Sequence, residues 1–451
     1  MRSMLHRALL ALAVAVGCLN ASLSQDALLQ SGPMVGYGEM TEVMLWAQTT
    51  RPADVQFRYW DLETPAKKLT STTVKTLEDE ANVAHVLITG LRPGRRYGYE
   101  LVINRQAVRT RHELRFQTPP LWQWRTDPPA FDVAVGSCTY VNEAEWDRPG
   151  SPYGSEYEIF TSIAAKKPDL MLWLGDNTYY REVDWNTSRG LRHRHTHTRS
   201  IPELQPLLGA THNYAIWDDH DYGPNDSDRS YRLKETSLET HKLFWANQLY
   251  GTASTPGIFS RFEWADVEFF LLDDRYHRSP NQSPDDSQKT MFGREQLQWL
   301  KDALVSSRAT FKIVVNGNQM LNPSCPFEAL SRFSAEYRSL LAFIKQARIP
   351  GLVFLSGDRH FSELICLKDS AFYPLYDYTS SSLTAGLFTN PEQEKDNPHR
   401  IPGTLVTDAH NFGLLRFSGP RTDRTLTLEC YDFRGNLRWS HVLRARELRA
   451  R

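Results

Sequence analysis

The chain has 451 residues, more than one small hydrophobic core accommodates, so two or three domains are expected. Hydrophobic residues make up 41% of the chain and charged residues 23%, which is typical of a globular protein and excludes a low-complexity class. The formal net charge of -1 excludes a general electrostatic attraction to nucleic acid or anionic lipid, so no nucleic-acid partner is expected.

Residues 1–24 have the order of a secretory signal peptide: positive charge, then an apolar run, then small residues. The apolar run, Ala8 to Gly17, is too short to span a bilayer comfortably, and no later run reaches transmembrane length. We therefore predict an exported protein that is periplasmic, extracellular or lipid-anchored at the cell surface. Cleavage is expected near Ser24, and lipid attachment at Cys18 is the alternative.

The next region, residues 30–118, is predicted to be an all-β domain. Segments rich in β-branched and aromatic residues alternate with turns there, at Glu42–Gln48, Val55–Trp60, His85–Ile88, Tyr97–Ile103 and Glu113–Gln117. Leu91, a Pro-Gly turn and then Tyr97 resemble the tyrosine corner of a fibronectin-III-like sandwich. Proline pairs within residues 119–130 indicate a linker that ends this domain.

In residues 131–440 the sequence pattern changes to apolar strands separated by helical stretches, such as Glu156–Lys166 and Arg294–Leu304. This pattern predicts a layered α/β domain. Six apolar runs each end at polar residues able to bind metal or phosphate. They are Phe131–Val135, Leu170–Leu174, Tyr214–Trp217, Val267–Leu272, Phe311–Val315 and Leu352–Leu355. Because such sheets place their ligands beyond the carboxyl ends of their strands, we expect one composite site there.

Three of these strand ends have the strongest metal-binding patterns. Asp176 comes after its strand and Gly175, and Tyr179 lies three residues on, where one loop turn can bring its phenol to the same point. Three carboxylates and one imidazole occupy positions 218–221, and they repel one another unless a cation or a solvated turn absorbs the charge. Asp358 and His360 face the same side of extended backbone, as metal ligands would.

Further candidates have weaker patterns. Cys138 can bind a metal as a thiolate or can be a buried structural thiol. Asn318 can supply an amide oxygen. The guanidinium of Arg275 suits bidentate phosphate recognition, with an ion pair as the alternative. The alternating histidines of residues 193–197 stand among arginines that oppose cation binding, so we predict a basic surface or a pocket-rim loop there.

Together these residues predict a metal-dependent enzyme. Oxygen-rich ligands suit hard cations, while one thiolate and one tyrosinate favour a softer or ferric ion at one position. Two or more cations about 3.5–4 Å apart could hold a phosphate and activate a water. We therefore predict a phosphoesterase that acts on small phosphoester substrates, and we expect a monomer. The alternative is a calcium-stabilised surface-binding protein without catalytic activity.

The ordered motifs GSC, GDNTYY, WDDHDYGPND, LLDDR, NGNQM and SGDRHFSE resemble the alkaline phosphatase D family of calcineurin-like metallophosphoesterases. The resemblance implies a four-layer αββα catalytic domain after the sandwich, and hydrolysis of phosphomonoesters and/or phosphodiesters. It also implies a dinuclear or trinuclear site with Fe³⁺ and Ca²⁺. It implies that iron is held by four residues, Cys138, Asp176, Tyr179 and His360. By the same resemblance Asp219 and Asp358 serve the calcium side, and His220 lies next to the leaving group.

Overall fold

The structure of the protein is a computed structural model that describes residues 28–388 and 394–450. The predicted signal peptide and Cys18 lie outside the described residues, so both stay predictions. Across the described part of the chain, none of the helices has the length and apolar character needed to cross a membrane.

Residues 29–117 form nine strands, and five of these lie at the segments predicted from the sequence. They are β1 (Leu29–Gly38), β2 (Glu42–Thr49), β3 (Asp54–Asp61), β4 (Leu69–Thr70), β5 (Val74–Lys75), β6 (Val83–Thr89), β7 (Arg96–Ile103), β8 (Gln106–Ala107) and β9 (Arg115–Gln117). One sheet contains β1, β2 and β6, and the other has the order β4-β3-β7-β8, with β5 and β9 also paired to it. Leu45, Val86, Phe57 and Leu101 lie in the core between them. The phenol oxygen of Tyr97 accepts a hydrogen bond of 2.9 Å from the backbone N–H of Arg92, as in a tyrosine corner.

The first region shares a sheet with the rest of the chain, which the sequence does not reveal. Strand β1 pairs in parallel with the later strand His212–Ile216 through Val35 and His212. As a result β1, β2 and β6 extend the largest sheet of the molecule. The boundary at residues 119–130 stays a prediction, and backbone pairing connects the regions on its two sides.

The remaining strands and helices lie between residues 131 and 444. The strands are β10 (Phe131–Gly136), β11 (Leu170–Leu174), β12 (His212–Ile216), β13 (Ser260–Trp264), β14 (Val267–Leu271), β15 (Phe311–Val315), β16 (Leu352–Ser356), β17 (Glu363–Asp369), β18 (Phe372–Thr379), β19 (Asn411–Ser418), β20 (Thr425–Asp432) and β21 (Leu437–Arg444). The helices are α1 (Ile159–Ala165), α2 (Ser188–Arg199), α3 (Gln205–Ala210), α4 (Asp219–Tyr222), α5 (Lys234–Phe244), α6 (Arg294–Ser306) and α7 (Ser334–Gln346).

Two large sheets form the centre of this region. The first has the order β21-β20-β19-β10-β11-β12-β1-β2-β6, and the second has the order β13-β14-β15-β16-β18-β17. Val133 and Leu172 of the first sheet share one core with Phe269 and Ile313 of the second. The opposite face of the first sheet packs against α1, α3 and α5, and the second sheet packs against α6 and α7. The predicted mixed α/β architecture is therefore confirmed.

One alternative of a local prediction is wrong. Residues 193–197 lie in helix α2 and not in a pocket-rim loop. Of the predicted basic surface, His193 is exposed, whereas Arg194 and His195 are buried. The helix begins after Thr187, whose hydroxyl oxygen accepts a hydrogen bond of 3.0 Å from the backbone N–H of Gly190. It buries mainly polar side chains, so the apolar periodicity that usually identifies a helix is absent.

Candidate metal centre

Neighbouring strand ends bring the predicted ligands together in an unusual backbone conformation. Strands β10, β11 and β16 end within two residues of Cys138, Asp176 and Asp358. These three residues and His360 have φ angles of 62°, 52°, 66° and 56°, in the left-handed region that residues with a β-carbon seldom adopt. Strained positions of this kind cluster at functional sites, and all four residues are predicted metal ligands.

Glycines permit the close approach of the loops that follow these strands. A β-carbon on Gly317 would lie 2.6 Å from Cγ of Asp218, and one on Gly357 would lie 2.6 Å from Cβ of Ser137. Both separations are below van der Waals contact, so a larger residue at either position would push the strand ends apart.

The first group of ligand atoms contains the four residues expected to hold iron. Sγ of Cys138 lies 3.6 Å from Oδ2 of Asp176. The hydroxyl of Tyr179 donates to the same Asp176 oxygen over 3.1 Å and lies 3.0 Å from Nε2 of His360. The Cys138, Asp176 and His360 ligand atoms all lie within 4.8 Å of one another. The structure thus brings a thiol, a phenol, a carboxylate and an imidazole to one point.

Asp176 also belongs to two neighbouring groups. One contains Asp219 and His220, the other contains Asp218 and Asp358, and in each group the ligand atoms lie within 4.8 Å of one another. Asp219 is buried, and its Oδ1 atom has no hydrogen-bond partner among the described residues. A carboxylate shared by adjacent groups is suited to bridging two cations.

The electrostatics of the cluster favour bound cations. Burial and the neighbouring Asp219 hold the pKa of Asp176 well above its usual range. Burial and Glu328 raise the pKa of Asp358 to about 7, and burial raises the pKa of the Cys138 thiol to about 11. Burial also acts to raise the pKa of Asp219, but the charges of His220 and Arg275 outweigh it and lower that pKa. Cations would relieve this repulsion and favour the ionised forms.

Asp221, the third carboxylate of the acidic run, has a structural role. Its Oδ1 accepts a hydrogen bond of 2.6 Å from the backbone N–H of Asp218, and its Oδ2 accepts one of 3.0 Å from that of Asn177. These contacts fasten the start of helix α4 to the Asp176 loop. The acidic residues at positions 218–221 therefore include a helix cap as well as candidate metal ligands.

His220 faces the open side of the cluster. Its ring stacks on Tyr179 with 4.2 Å between ring centroids and 29° between planes, and its backbone N–H donates to Oδ1 of Asp176 over 3.2 Å. Burial lowers the pKa of His220, and the charge of Asp219 opposes that effect. The side chain lines a cleft of about 600 Å³, where a substrate can reach it.

The predicted phosphate-binding role of Arg275 is contradicted by its surroundings. The guanidinium is fully buried, and its Nε donates to Asp218 over 2.6 Å. Its Nη2 donates to Asp218 and to Glu328, and its Nη1 donates to Glu328 over 3.2 Å and to the carbonyl of Ser227 over 3.3 Å. All five donor positions are therefore occupied by protein atoms, and none is directed at a substrate. The ion-pair alternative is the correct one.

Asn318 is fixed behind the cluster. Its amide nitrogen donates to Oδ2 of Asp218 over 3.1 Å, and its amide oxygen accepts from Arg278 over 2.9 Å. The predicted ligand atom of Asn318 thus has a protein partner, and its role as a metal ligand stays a prediction.

The histidines of helix α2 also have protein partners. His195 is buried 3.0 Å from the hydroxyl of Tyr180, and His193 lies 3.1 Å from Glu143. Arg194 is buried between Asp184 and Glu143 at 2.8 and 2.7 Å. This helix holds the loop containing Glu143 against the body of the protein.

Sequence reasoning missed Glu328. This residue accepts hydrogen bonds from both Arg275 and Arg278 and lies with Asp219 and Asp226 in a further acidic group. No apolar strand precedes it, so the signal that identified the other residues is absent. All four cysteines among the described residues are unpaired, including Cys138.

Comparison with known proteins gives consistent matches. A family model described as PhoD-like phosphatase matches residues 133–419, which is more than half of the chain, and a domain of unknown function, DUF7800, matches residues 26–121. The chain is 23% identical over 331 residues to alkaline phosphatase D of Bacillus subtilis (strain 168). That match covers 62% of this chain and 54% of the relative, so the chain spans about half the length of this curated relative.

Solved structures have the same fold. The structure of PhoD matches with a TM-score of 0.74 and 18% identity over 91% of this chain and 92% of that one. The purple acid phosphatase PPD1 from yellow lupin (Lupinus luteus) seeds matches with a TM-score of 0.61 and 12% identity, over 92% of this chain and 75% of that one. At these identities the matches establish the fold alone.

Proposed function

The chain belongs to the PhoD-like phosphatase family, and we propose from this that it is an exported, metal-dependent phosphoesterase. Its substrates in this proposal are phosphomonoesters and/or phosphodiesters. The supporting observation is the convergence of Cys138, Asp176, Tyr179 and His360 beside two further acidic groups that share Asp176. A binding protein merely stabilised by calcium would not need a thiol and a phenol at that point.

The donor atoms fit the proposed ions. A thiolate and a phenolate beside one carboxylate and one imidazole suit Fe³⁺, held by Cys138, Asp176, Tyr179 and His360. Carboxylates suit Ca²⁺, which Asp219 and Asp358 would hold. The buried and unpartnered Oδ1 of Asp219 supports this, because such an oxygen costs free energy unless a ligand satisfies it. Bound cations would offset phosphate charge and activate a water.

Side chains of the protein would orient the reacting groups. His220, held by its stacking on Tyr179, faces the cleft and would donate a proton to the oxygen of the departing alcohol. Asp218 is kept in place by Arg275 and Asn318, and in turn it orients the start of helix α4. No covalent phosphoenzyme is required.

Finer features of the architecture and location belong to the same proposal. The two central sheets with helices on their outer faces would correspond to the four-layer αββα arrangement, preceded by a fibronectin-III-like sandwich. The proposal also includes export through the predicted signal peptide, with lipid attachment at Cys18 as the alternative. It includes a monomeric state.

The test is hydrolysis of p-nitrophenyl phosphate and bis-p-nitrophenyl phosphate by the purified protein, before and after chelation. We expect activity that is lost with chelator and restored by metal. Asp176→Asn should abolish it, whereas Asp408→Asn, which changes an exposed carboxylate paired with Arg438, should not. Absence of hydrolysis under every metal condition would favour the surface-binding alternative.

A further inference from the structure

The cleft beside the candidate metal centre is larger than a phosphate group requires. It has a volume of about 600 Å³ and extends outward from Tyr179 and His220. Pockets of roughly 300–1,000 Å³ bind organic ligands in proteins, so there is room for a sizeable group attached to the phosphate. Since His220 is the proposed proton donor to the departing oxygen, the group nearest to it is the one that leaves.

The inner wall of the cleft is aromatic and well supported. Tyr140 contacts Tyr153 edge to face, with 4.9 Å between ring centroids, and lies 5.3 Å from the ring of Tyr179. The guanidinium of Arg181 stacks 3.7 Å from the centre of the Tyr140 ring. It also donates to Asp147 over 2.8 Å, and Asp147 accepts from the Tyr140 hydroxyl over 2.8 Å. These contacts fix the wall before any substrate arrives.

The outer part of the cleft offers aromatic side chains that are partly exposed. Trp146 is 38% exposed and Tyr153 is 45% exposed, and Trp185 completes the lining. At the rim Arg148 and Glu182 form an ion pair of 2.9 Å. Opposite charges at the rim give no preference for an anionic or a cationic group, so the rings dominate recognition.

A second cleft near Asp226 has a different character. Its volume is about 430 Å³, and its lining includes Asp285, Lys289, Glu328 and Arg332, with Phe327 as its aromatic residue. Because the lining of this second cleft is mainly charged, an aromatic lining is found only in the first of these two clefts, the one that His220 lines.

We propose that the wall of Tyr140, Trp146, Tyr153 and Trp185 binds the departing group of the substrate and selects phosphoesters of alcohols that carry a planar aromatic ring. This inference rests on the proposed phosphoesterase function. In the reaction the oxygen of water bonds to phosphorus, the ester P–O bond breaks, and the departing oxygen takes up a proton. Stacking on the wall stabilises the ring throughout that step.

The experiment compares kcat/KM for benzyl, cyclohexylmethyl and ethyl phosphate with the metal-loaded full-length enzyme. These are esters of primary alcohols of similar acidity, so differences report binding of the organic group rather than ease of departure. We expect benzyl phosphate to exceed both others by about tenfold, the effect of a favourable ring contact. Trp146→Ala should reduce that preference several-fold, and Trp146→Phe should restore most of it.

Phe327→Ala is the matched control, since it removes an exposed ring from the other cleft, and it should leave the ratio unchanged. Hydrolysis of all three esters at similar rates, unaltered by Trp146→Ala, would overturn the inference while leaving the proposed function intact. A preference for cyclohexylmethyl over benzyl phosphate would also overturn it, because size and not planarity would then be selected. Failure to hydrolyse any ester would overturn the phosphoesterase proposal itself, and this inference with it.

Discussion

Replacing Arg275 by methionine distinguishes a structural arginine from a phosphate-binding one. The side chain neutralises Asp218, which is fully buried and also accepts hydrogen bonds from the amide of Asn318 and from the backbone at the start of helix α4. Glu328, another partner of Arg275, retains its ion pair of 2.6 Å with Arg278 when Arg275 is replaced. Arg275 also lies 3.8 Å from the buried Asp274, which keeps the charge of Arg278 nearby. The substitution therefore leaves Asp218 as the buried carboxylate without a cation, which costs about 3–5 kcal/mol of unfolding free energy.

The assay is urea unfolding of the metal-free protein near pH 8, so that metal binding does not mask the change. Arg148→Met is the matched control, because the Arg148 side chain is 80% exposed and pairs with Glu182 at the surface. Loss of such a pair costs at most about 1 kcal/mol. Adding Asp218→Asn to Arg275→Met should recover part of the lost stability, because the stranded charge is then gone.

The opposite result would restore the phosphate-binding interpretation. Suppose that the unfolding free energy of Arg275→Met lies within about 1 kcal/mol of that of the unaltered protein, and that KM for p-nitrophenyl phosphate rises. Arg275 would then bind phosphate, and stabilising the fold through its ion pairs would not be its role.

Three further predictions concern individual side chains. Tyr179→Phe should keep iron by elemental analysis but lose the visible tyrosinate-to-iron absorption band, and a band that persists would exclude Tyr179 as its source. His220→Ala should retain metal and lower turnover about 10²–10⁴-fold for alkyl esters, but much less for p-nitrophenyl esters, whose oxygen departs with little protonation; an equal loss for both would refute proton donation. Burial lowers the pKa of His241 to about 3, so the unfolded chain binds a proton below about pH 6.5 that the folded protein cannot. Stability contributed by neutral His241 is thus lost as pH falls below that value, and His241→Leu should abolish about 2 kcal/mol of the difference in unfolding free energy between pH 7.5 and 5; an unchanged difference would contradict the buried neutral state.

The strands that hold the candidate site are readable from the sequence because each is buried on both faces. Leu170–Leu174 and Phe311–Val315 have the predicted bounds, and all of their residues are buried. A mainly apolar run followed within two residues by a carboxylate or an amide therefore predicted the candidate site without any knowledge of its partners.

Features that depend on long-range contacts could not be read in this way. The pairing of Arg275 with Glu328 joins residues 53 positions apart, and Glu328 lies in a loop that no strand introduces. A guanidinium that could bind phosphate looks the same in sequence as one that neutralises a buried carboxylate. Likewise, the pairing of β1 with β12 depends on strand placement across the whole sheet, which local patterns do not encode.

The central claim is that Cys138, Asp176, Tyr179 and His360 bind one iron ion. Crystals of the purified protein measured on either side of the iron absorption edge test it most directly, together with elemental analysis of the same sample. We predict an anomalous difference peak among Sγ of Cys138, the Tyr179 hydroxyl and Nε2 of His360, and its absence in Asp176→Asn. A fully active protein without iron, in zinc or calcium alone, or an iron peak away from these atoms, would contradict the account.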